Sequence, residues 1–361
     1  MSPDQKNLSR VPGIGAPQLR LLERLCNASG VSGDEGEVRE IVLNEVKSLG
    51  EVKVDALGNV LVSRPGRGEQ RLRVMLDAHM DEVGFMLVSD EGEGLFRFDK
   101  VGGVDPRHLP GKPVLIGSEH IPGIIGARAI HLTSSEERKR TIPIDQLRID
   151  VGPGGNSKVK VGDRATYATR FTRLGPSIYA KALDDRLGVA TLIELLRHAP
   201  ENVDILASFS VQEEIGGRGA RVGAYFFDPD LAIVIESTPA NDLPLWDDTE
   251  NNLYNSKLDG GPAIYVADRM TLSDPRLVQH FMRAASQNGI PYQLRQPGGG
   301  GTDAGAIHRT RAGIPSLSIS VPGRYHHTAG SIARIADWKN TLALLYTGLA
   351  AMTPELLAVP R

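Results

Sequence analysis

Apolar positions Leu19, Leu22, Leu25 and Cys26 fall on one helical face, which predicts a helix over Pro17 to Asn27. Ser32-Gly33-Asp34-Glu35 then has the spacing of a capping box, with Ser32 as N-cap and Glu35 reaching back. Val38, Ile41, Val42, Val46 and Leu49 continue at helical spacing until Gly50 ends the helix. Val52–Val54 and Val60–Val62 alternate as strands around the turn Leu57-Gly58-Asn59. Arg71 to Leu76 reads as a further strand, leading into Asp77-Ala78-His79-Met80-Asp81.

From Phe85 to Phe171 the pattern changes. Short apolar pieces such as Val114–Ile116, Gly123–Ile125 and Ile142–Ile144 are broken by Gly, Pro and charges. No helical period develops, so this stretch predicts a small β-rich unit. Beyond Gly175, helix-period segments alternate with apolar strands. Leu187–Leu196 predicts a helix, Val203–Val211 and Leu231–Ile235 strands. A further helix carries Leu277, Val278, Phe281, Met282 and Ala285. Ile314–Val321 predicts a strand and Ile335–Ala351 a closing helix. Such alternation argues for α/β layering with a largely parallel sheet. The expected architecture is one α/β unit built from both ends of the chain, interrupted by a β-rich insert.

Composition narrows the function classes. The chain has 361 residues, 24% of them charged, with a net charge of -3 and no basic tract. That speaks against a nucleic-acid partner. The single cysteine, Cys26, cannot form an intrachain disulfide and fits a reducing compartment. Met1 to Pro17 is polar and lacks the apolar core of a signal peptide. No run approaches the ~20 apolar residues that span a bilayer. These features lead us to expect a cytosolic enzyme with no membrane partner.

Five His or acidic clusters stand beside the predicted elements of the α/β part. His79-Met80-Asp81, Glu213-Glu214, Glu236 and His326-His327 each follow a strand, and Asp184-Asp185 opens a helix. In an open α/β sheet the crevice lies outside the carboxyl ends of the strands, where clusters distant in sequence can converge. Each also has a plain reading: a loop histidine, a solvated acid, or, for Asp184-Asp185, a helix cap. Together, imidazoles and carboxylates without thiolates suit zinc, cobalt or manganese. Two histidines and three carboxylates exceed the needs of one four-coordinate ion and suit two, spaced by ~3.5–4 Å with a shared carboxylate. Glu213 and Glu214 diverge in extended chain, so one can ligate while the other takes a proton from water. Asp81, two residues after His79, can fix that histidine's tautomer. A carboxypeptidase or an N-acyl amino acid deacylase would use the same ions. A glycosidase is disfavoured, because its carboxylates must straddle a bond.

Six motifs carry a resemblance. They are Ser32-Gly33-Asp34-Glu35, the stretch from Asp77 to Gly84, Lys181 to Arg186, Gln212 to Gly216, Gly300 to Gly305, and Arg324 to Thr328. In this order and spacing the chain resembles the cytosolic dinuclear metallo-aminopeptidases. That family includes glutamyl and lysyl aminopeptidases, tetrahedral aminopeptidases and proteins labelled cellulase M. The resemblance implies a mixed, mainly parallel sheet flanked by helices, zinc-peptidase-like, over residues 1–84 and 172–361. Residues 85–171 would be an inserted barrel-like dimerisation domain. It implies that His79, Asp184 and Glu236 hold one metal and that Asp184, Glu214 and His327 hold the second. Glu213 would be the general base, Asp81 would orient His79, and the Asp184–Asp185 bond would be cis. Two divalent ions per subunit follow, zinc first, with cobalt or manganese as alternatives. Peptide substrates and self-association, from dimer to dodecamer, follow as well.

Glu236 departs from the family pattern, in which Asp is common. Alignment of the last motif favours His327 over His326. Thr302 and Asp303 read either as pocket residues or as the cap of a helix from Ala304. His308 reads as structural, and His108, His120 and His131 carry no assigned chemistry. Arg324 and Tyr325 stay undecided between substrate and packing roles. The stretch Thr238 to Asp259, with Trp246, Asp242, Asp247 and Asp248, is a candidate pocket loop.

Overall fold

The computed structural model describes residues 11–243, 256–295, 300–358 and 360. Trp246, Asp247 and Asp248 of the candidate pocket loop lie outside the described residues. Helices α1 (Ala16–Asn27) and α2 (Gly36–Val46) come first, then strands β1 (Glu51–Val54), β2 (Val60–Arg64) and β3 (Leu72–His79). Strands β4 (Gly84–Asp90), β5 (Leu95–Val101), β6 (Pro113–Ile116), β7 (Ile121–Gly126), β8 (Arg148–Asp150) and β9 (Arg164–Tyr167) follow. They close into a six-stranded antiparallel barrel in the order β4-β5-β8-β7-β6-β9. Its core holds Phe85 between Phe98 and Tyr167, at ring-centroid distances of 5.3 and 5.4 Å and near-perpendicular angles. Closure leaves no strand edge unpaired, so such short segments can form a stable unit.

The chain then returns to the α/β layer through β10 (Thr172–Leu174), β11 (Ser177–Ala180), α3 (Leu183–Arg197), β12 (Val203–Ser210), α4 (Arg218–Phe227) and β13 (Leu231–Pro239). It finishes with β14 (Ala263–Tyr265), α5 (Pro275–Asn288), β15 (Gln293–Arg295), α6 (Ala304–Ile307), β16 (Ser316–Arg324), β17 (Ser331–Arg334) and α7 (Ile335–Ala350). The sheet runs β1-β2-β12-β3-β13-β16-β17-β11-β10, and β14 pairs with β16 and carries β15 beside it. Its centre, β12-β3-β13-β16, is parallel throughout. Those strands are almost continuously buried, as expected when helices cover both faces. Helix α3 is buried along most of its length between sheet and neighbouring helices. Among the described residues no helix is long and apolar enough to cross a membrane.

Two local expectations change. Ser32 and Glu35 do not form a capping box on α2, whose N-cap is Glu35 with no side-chain cap bond. The Ser32 hydroxyl donates instead to Asp81 Oδ2 at 2.6 Å, because a buried carboxylate is the stronger acceptor. Glu35 accepts from the Gly33 N–H at 2.6 Å. Strand β13 also runs on to Pro239, so Glu236 lies within the strand rather than after it.

Candidate metal centre

The parallel register brings the distant clusters to one level. Ser210 of β12 pairs with His79 of β3, and Asp77 of β3 pairs with Val234 of β13. Two residues on from that pair, His79 and Glu236 come level one strand spacing apart, about 4.8 Å. Beyond β12 the chain turns through Gln212, at φ 61°, into Glu213 and Glu214. Beyond β16 it turns through Tyr325, at φ 65°, into His326 and His327. Asp184 arrives from the opposite direction, at the start of α3.

The Asp184-Asp185 pair divides its work. Both residues have non-helical backbone angles, so the regular helix begins after them, and the peptide bond joining them is cis. Asp185 Oδ1 accepts from the Gly188 N–H at 3.0 Å, three residues on, which is how a helix cap acts. Asp184 is left to face the histidines. Its Oδ1 lies 3.3 Å from His79 Nε2, and its Oδ2 lies 3.3 Å from His327 Nε2. His79 Nε2 is also 3.2 Å from Glu236 Oε1, and His327 Nε2 is 3.4 Å from Glu214 Oε1. One carboxylate therefore spans two His-carboxylate pairs. His326 Nδ1 is 3.9 Å from Asp184 Oδ2, too far for a hydrogen bond. Asp184, Glu214 and His327 offer ligand atoms within 4.8 Å of one another, and so do His79, Glu236 and the capping residue Asp185.

All of these residues except Asp185 line one cavity of about 460 Å³, together with Glu213, Tyr265, Met270, Arg295, Thr302 and others. Residues 58–344 match the family model described as M42 glutamyl aminopeptidase. The chain belongs to the M42 aminopeptidase family. A lysyl aminopeptidase from Pyrococcus furiosus is 31% identical over 347 residues, covering 92% of this chain and 97% of that one. A TET aminopeptidase structure from a marine sediment Thaumarchaeota archaeon superposes with a TM-score of 0.89 at 32% identity, covering 95% and 99%. The TET1 peptidase of Pyrococcus horikoshii, described as assembling into a tetrahedron or a large octahedral shell, gives 0.80 at 32% identity, covering 93% and 100%. With M42 membership and two clusters of metal-binding side chains, the chain is a dinuclear-metal aminopeptidase.

The M42 donor set fits divalent cations. His79 Nδ1 donates to the Asp81 backbone carbonyl at 3.1 Å, and His327 Nδ1 to the Gly103 carbonyl at 3.0 Å. A carbonyl can only accept, so each neutral ring carries its proton on Nδ1 and presents an Nε2 lone pair inward. The Asp81 carboxylate is the more distant partner of His79, at 3.5 Å. It accepts instead from the backbone N–H groups of Glu213, at 2.9 Å, and Glu214, at 3.1 Å. Asp81 thus ties the end of β3 to the loop after β12.

The electrostatics agree. Burial, with neighbouring carboxylates adding to it, pushes Glu214 up to about 8 and Glu236 up to about 7. Burial also holds Glu213 well above its usual range. Burial opposes protonation of His327, but Asp184 and Glu214 outweigh it and raise the ring to about 10. The same contest, against Glu236, Asp184 and Asp81, leaves His79 well above its ordinary value. Such a cluster has an affinity for positive charge that protons satisfy or divalent ions replace.

Other residues fall into place around it. Thr302 lines the cavity, its hydroxyl 2.7 Å from that of Ser318. Asp303 is buried behind the wall and accepts from Ser210 Oγ at 2.9 Å, while making no side-chain cap for α6. His308 bonds the Ala304 carbonyl within its own turn. His120 contacts Glu37, and neither His108 nor His131 approaches the site. Arg324 forms a two-point ion pair with Asp242, at 2.7 and 2.8 Å, so it anchors a loop. Tyr325 is half exposed and supplies a carbonyl to Thr328. Sequence reasoning missed Gly103, whose contribution is a backbone carbonyl. Its only signal was the Gly102-Gly103 pair, where a Cβ on Gly103 would stand 3.1 Å from His327 Nδ1.

Proposed function

We propose that this aminopeptidase holds one divalent cation with His79, Asp184 and Glu236 and a second with Asp184, Glu214 and His327. The observation that carries the assignment is Asp184, whose two oxygens face the two inward Nε2 atoms. Asp184 is preferred to Asp185 because it faces both histidines, whereas Asp185 caps the helix start through Oδ1. Cations held there would supply Lewis acidity and bring water close to ionisation at neutral pH. Glu213 lines the same cavity outside both triads. It accepts the proton of the attacking water and returns it to the leaving amine. Asp81 positions the Glu213-Glu214 backbone and, through its carbonyl, the His79 ring.

The donors are all nitrogen and oxygen, which zinc, cobalt and manganese accept, and zinc is the reading we adopt. We assign catalysis to residues 1–84 and 172–361 and dimerisation to residues 85–171. Self-association would build on that unit toward closed assemblies like those described for the P. horikoshii relative, acting on peptides in the cytosol. The family description names glutamyl substrates and the P. furiosus relative lysyl ones, so similarity alone does not select the N-terminal residue.

The test combines elemental analysis with a panel of aminoacyl-anilides. About two ions per chain are expected at saturation. Glu213→Gln should keep both ions and lose kcat by about 10²–10⁴-fold. Undiminished turnover in that variant would remove Glu213 from its role, and a single ion at saturation would remove the pair.

A further inference from the structure

Asp184, Glu214 and His327 have a second side. Besides the large cavity they line a small one of about 10 Å³, together with Glu82, Lys181 and Tyr167. Tyr167 belongs to barrel strand β9, so the barrel reaches the metal centre here. Tyr167 is 1% exposed, and its ring packs edge-on against Phe85 at 5.4 Å in the barrel core. That packing fixes where the hydroxyl sits. The hydroxyl is buried and makes no hydrogen bond to the protein. Burial alone acts on its acidity and raises its pKa, so the proton stays on the oxygen.

A buried hydroxyl without a partner is costly, so the groups around it matter. Several are already engaged. Glu82 accepts from Gly30, Thr166, Lys181 and Arg186, and Lys181 Nζ donates both to Glu82 and to the Ala28 carbonyl. His327 Nδ1 is committed to Gly103, and its Nε2 faces Asp184 and Glu214. The two carboxylates keep acceptor positions. Each carries about four lone-pair sites, more than its histidine contacts use. A space of ~10–15 Å³ holds one water when two to four polar groups surround it. Tyr167, Asp184 and Glu214 are such groups.

We propose that this small cavity is the site of one ordered water, which accepts from the Tyr167 hydroxyl and donates to Glu214 and Asp184. Tyr167 is then a positioning residue for the second metal, acting from the barrel on two of its ligands. The inference rests on the metal assignment above. A water bridge is enthalpically close to a direct hydrogen bond. It limits how far the carboxylates can turn, as outer contacts to metal ligands do. Were the hydroxyl an orphan instead, deleting it would raise stability and leave the metals alone. Deleting a water's anchor weakens the second metal, so the two cases differ in sign.

Tyr167→Phe keeps the ring and deletes the hydroxyl. Full-length metal-free protein is titrated with Zn²⁺ by calorimetry. In the variant the second ion should bind about tenfold more weakly than in wild type, and the first should lose less. The melting temperature of the zinc-loaded variant should not exceed that of wild type. A high-resolution crystal structure of zinc-loaded wild type should show a water within hydrogen-bond distance of Tyr167 Oη, Glu214 and Asp184. Phe98→Leu loosens the same core from the far side of Phe85, so it should lower the melting temperature and leave Zn²⁺ binding as in wild type. An equal loss of zinc affinity in Phe98→Leu would reduce Tyr167 to packing and overturn the proposal. So would a Tyr167→Phe variant with a higher melting temperature and unchanged zinc affinity, or a wild-type structure with no water beside Oη. Those results leave the metal assignment standing. A single Zn²⁺ at saturation in wild type would overturn that assignment, and this proposal with it.

Discussion

Asp81 and Glu82 are neighbours in the chain, yet they lead into opposite electrostatic settings. Glu82 is buried and accepts from Lys181 Nζ at 2.6 Å, Arg186 Nη2 at 3.3 Å, the Gly30 N–H at 3.0 Å and Thr166 Oγ1 at 2.9 Å. Its counter-charges come from the protein. On the Asp81 side, Asp184, Glu213, Glu214 and Glu236 share a cavity with three histidines, and Arg295 belongs to its far wall. The comparison separates two kinds of buried charge. One is complete within the chain and joins the barrel strand β9 to the α/β layer. The other gathers more negative charge than local side chains offset, as a site for divalent cations must.

The sharpest way to break this contrast is to remove Asp184, the ligand we propose to be shared. Asp184→Asn should cost about a thousandfold in turnover, roughly 4 kcal/mol of transition-state stabilisation, and lower the bound metal on elemental analysis. The metal-free variant should melt no lower than metal-free wild type, because one of several crowded carboxylates is gone. Wild-type metal content in Asp184→Asn would contradict the shared ligand.

Glu82→Gln probes the other cluster and should behave inversely. Lys181 and Arg186 would lose their buried counter-charge, a change that costs about 3–5 kcal/mol in folded stability. Denaturant unfolding should show that loss, while the folded fraction keeps its metal stoichiometry. A variant with wild-type stability but lost metal would mean the two clusters are one.

Much of this contrast could be read from the chain, for a definable reason. Parallel strands between helices place their carboxyl ends together, so the clusters at His79, Glu213-Glu214, Glu236 and His326-His327 could be picked out from strand ends, while the choice within each pair came from the resemblance. The Asp184-Asp185 pair stood out at a helix start, and the resemblance singled out Asp184 within it. What escaped was tertiary in origin. Glu82 stood inside a quoted motif without a role, since its partners Lys181 and Arg186 are about a hundred residues away. Gly103 acts through a backbone atom that no side-chain pattern reveals. Arg295 lies on a three-residue strand whose place depends on β14 and β16. The barrel was legible only as broken apolar pieces, because closure depends on pairings such as β4 with β9, about eighty residues apart.

Asp81→Asn sits between the two clusters and should have an intermediate effect. An amide keeps the volume but offers one acceptor oxygen where two backbone N–H groups and the Ser32 hydroxyl now converge. Loss of such an outer contact weakens metal binding or activity by about 10–100-fold. Metal titration of the variant measures it. A change confined to stability would place Asp81 with Glu82, as structure only.

The smallest effect discriminates most finely. If Ser32 merely capped α2, Ser32→Ala would cost about 1 kcal/mol of stability and leave the site untouched. The hydroxyl instead bonds a buried carboxylate that holds the Glu213-Glu214 backbone. Removing it should therefore lower stability by roughly 1.5 kcal/mol and also weaken metal binding, by roughly threefold. The two roles separate in a double-mutant cycle. In the Asp81→Asn background the strong acceptor is already lost, so Ser32→Ala should change metal affinity little further. Full additivity of the two substitutions would return Ser32 to the helix. Non-additivity would show that a serine forty-nine residues upstream reaches the metal centre through Asp81 alone.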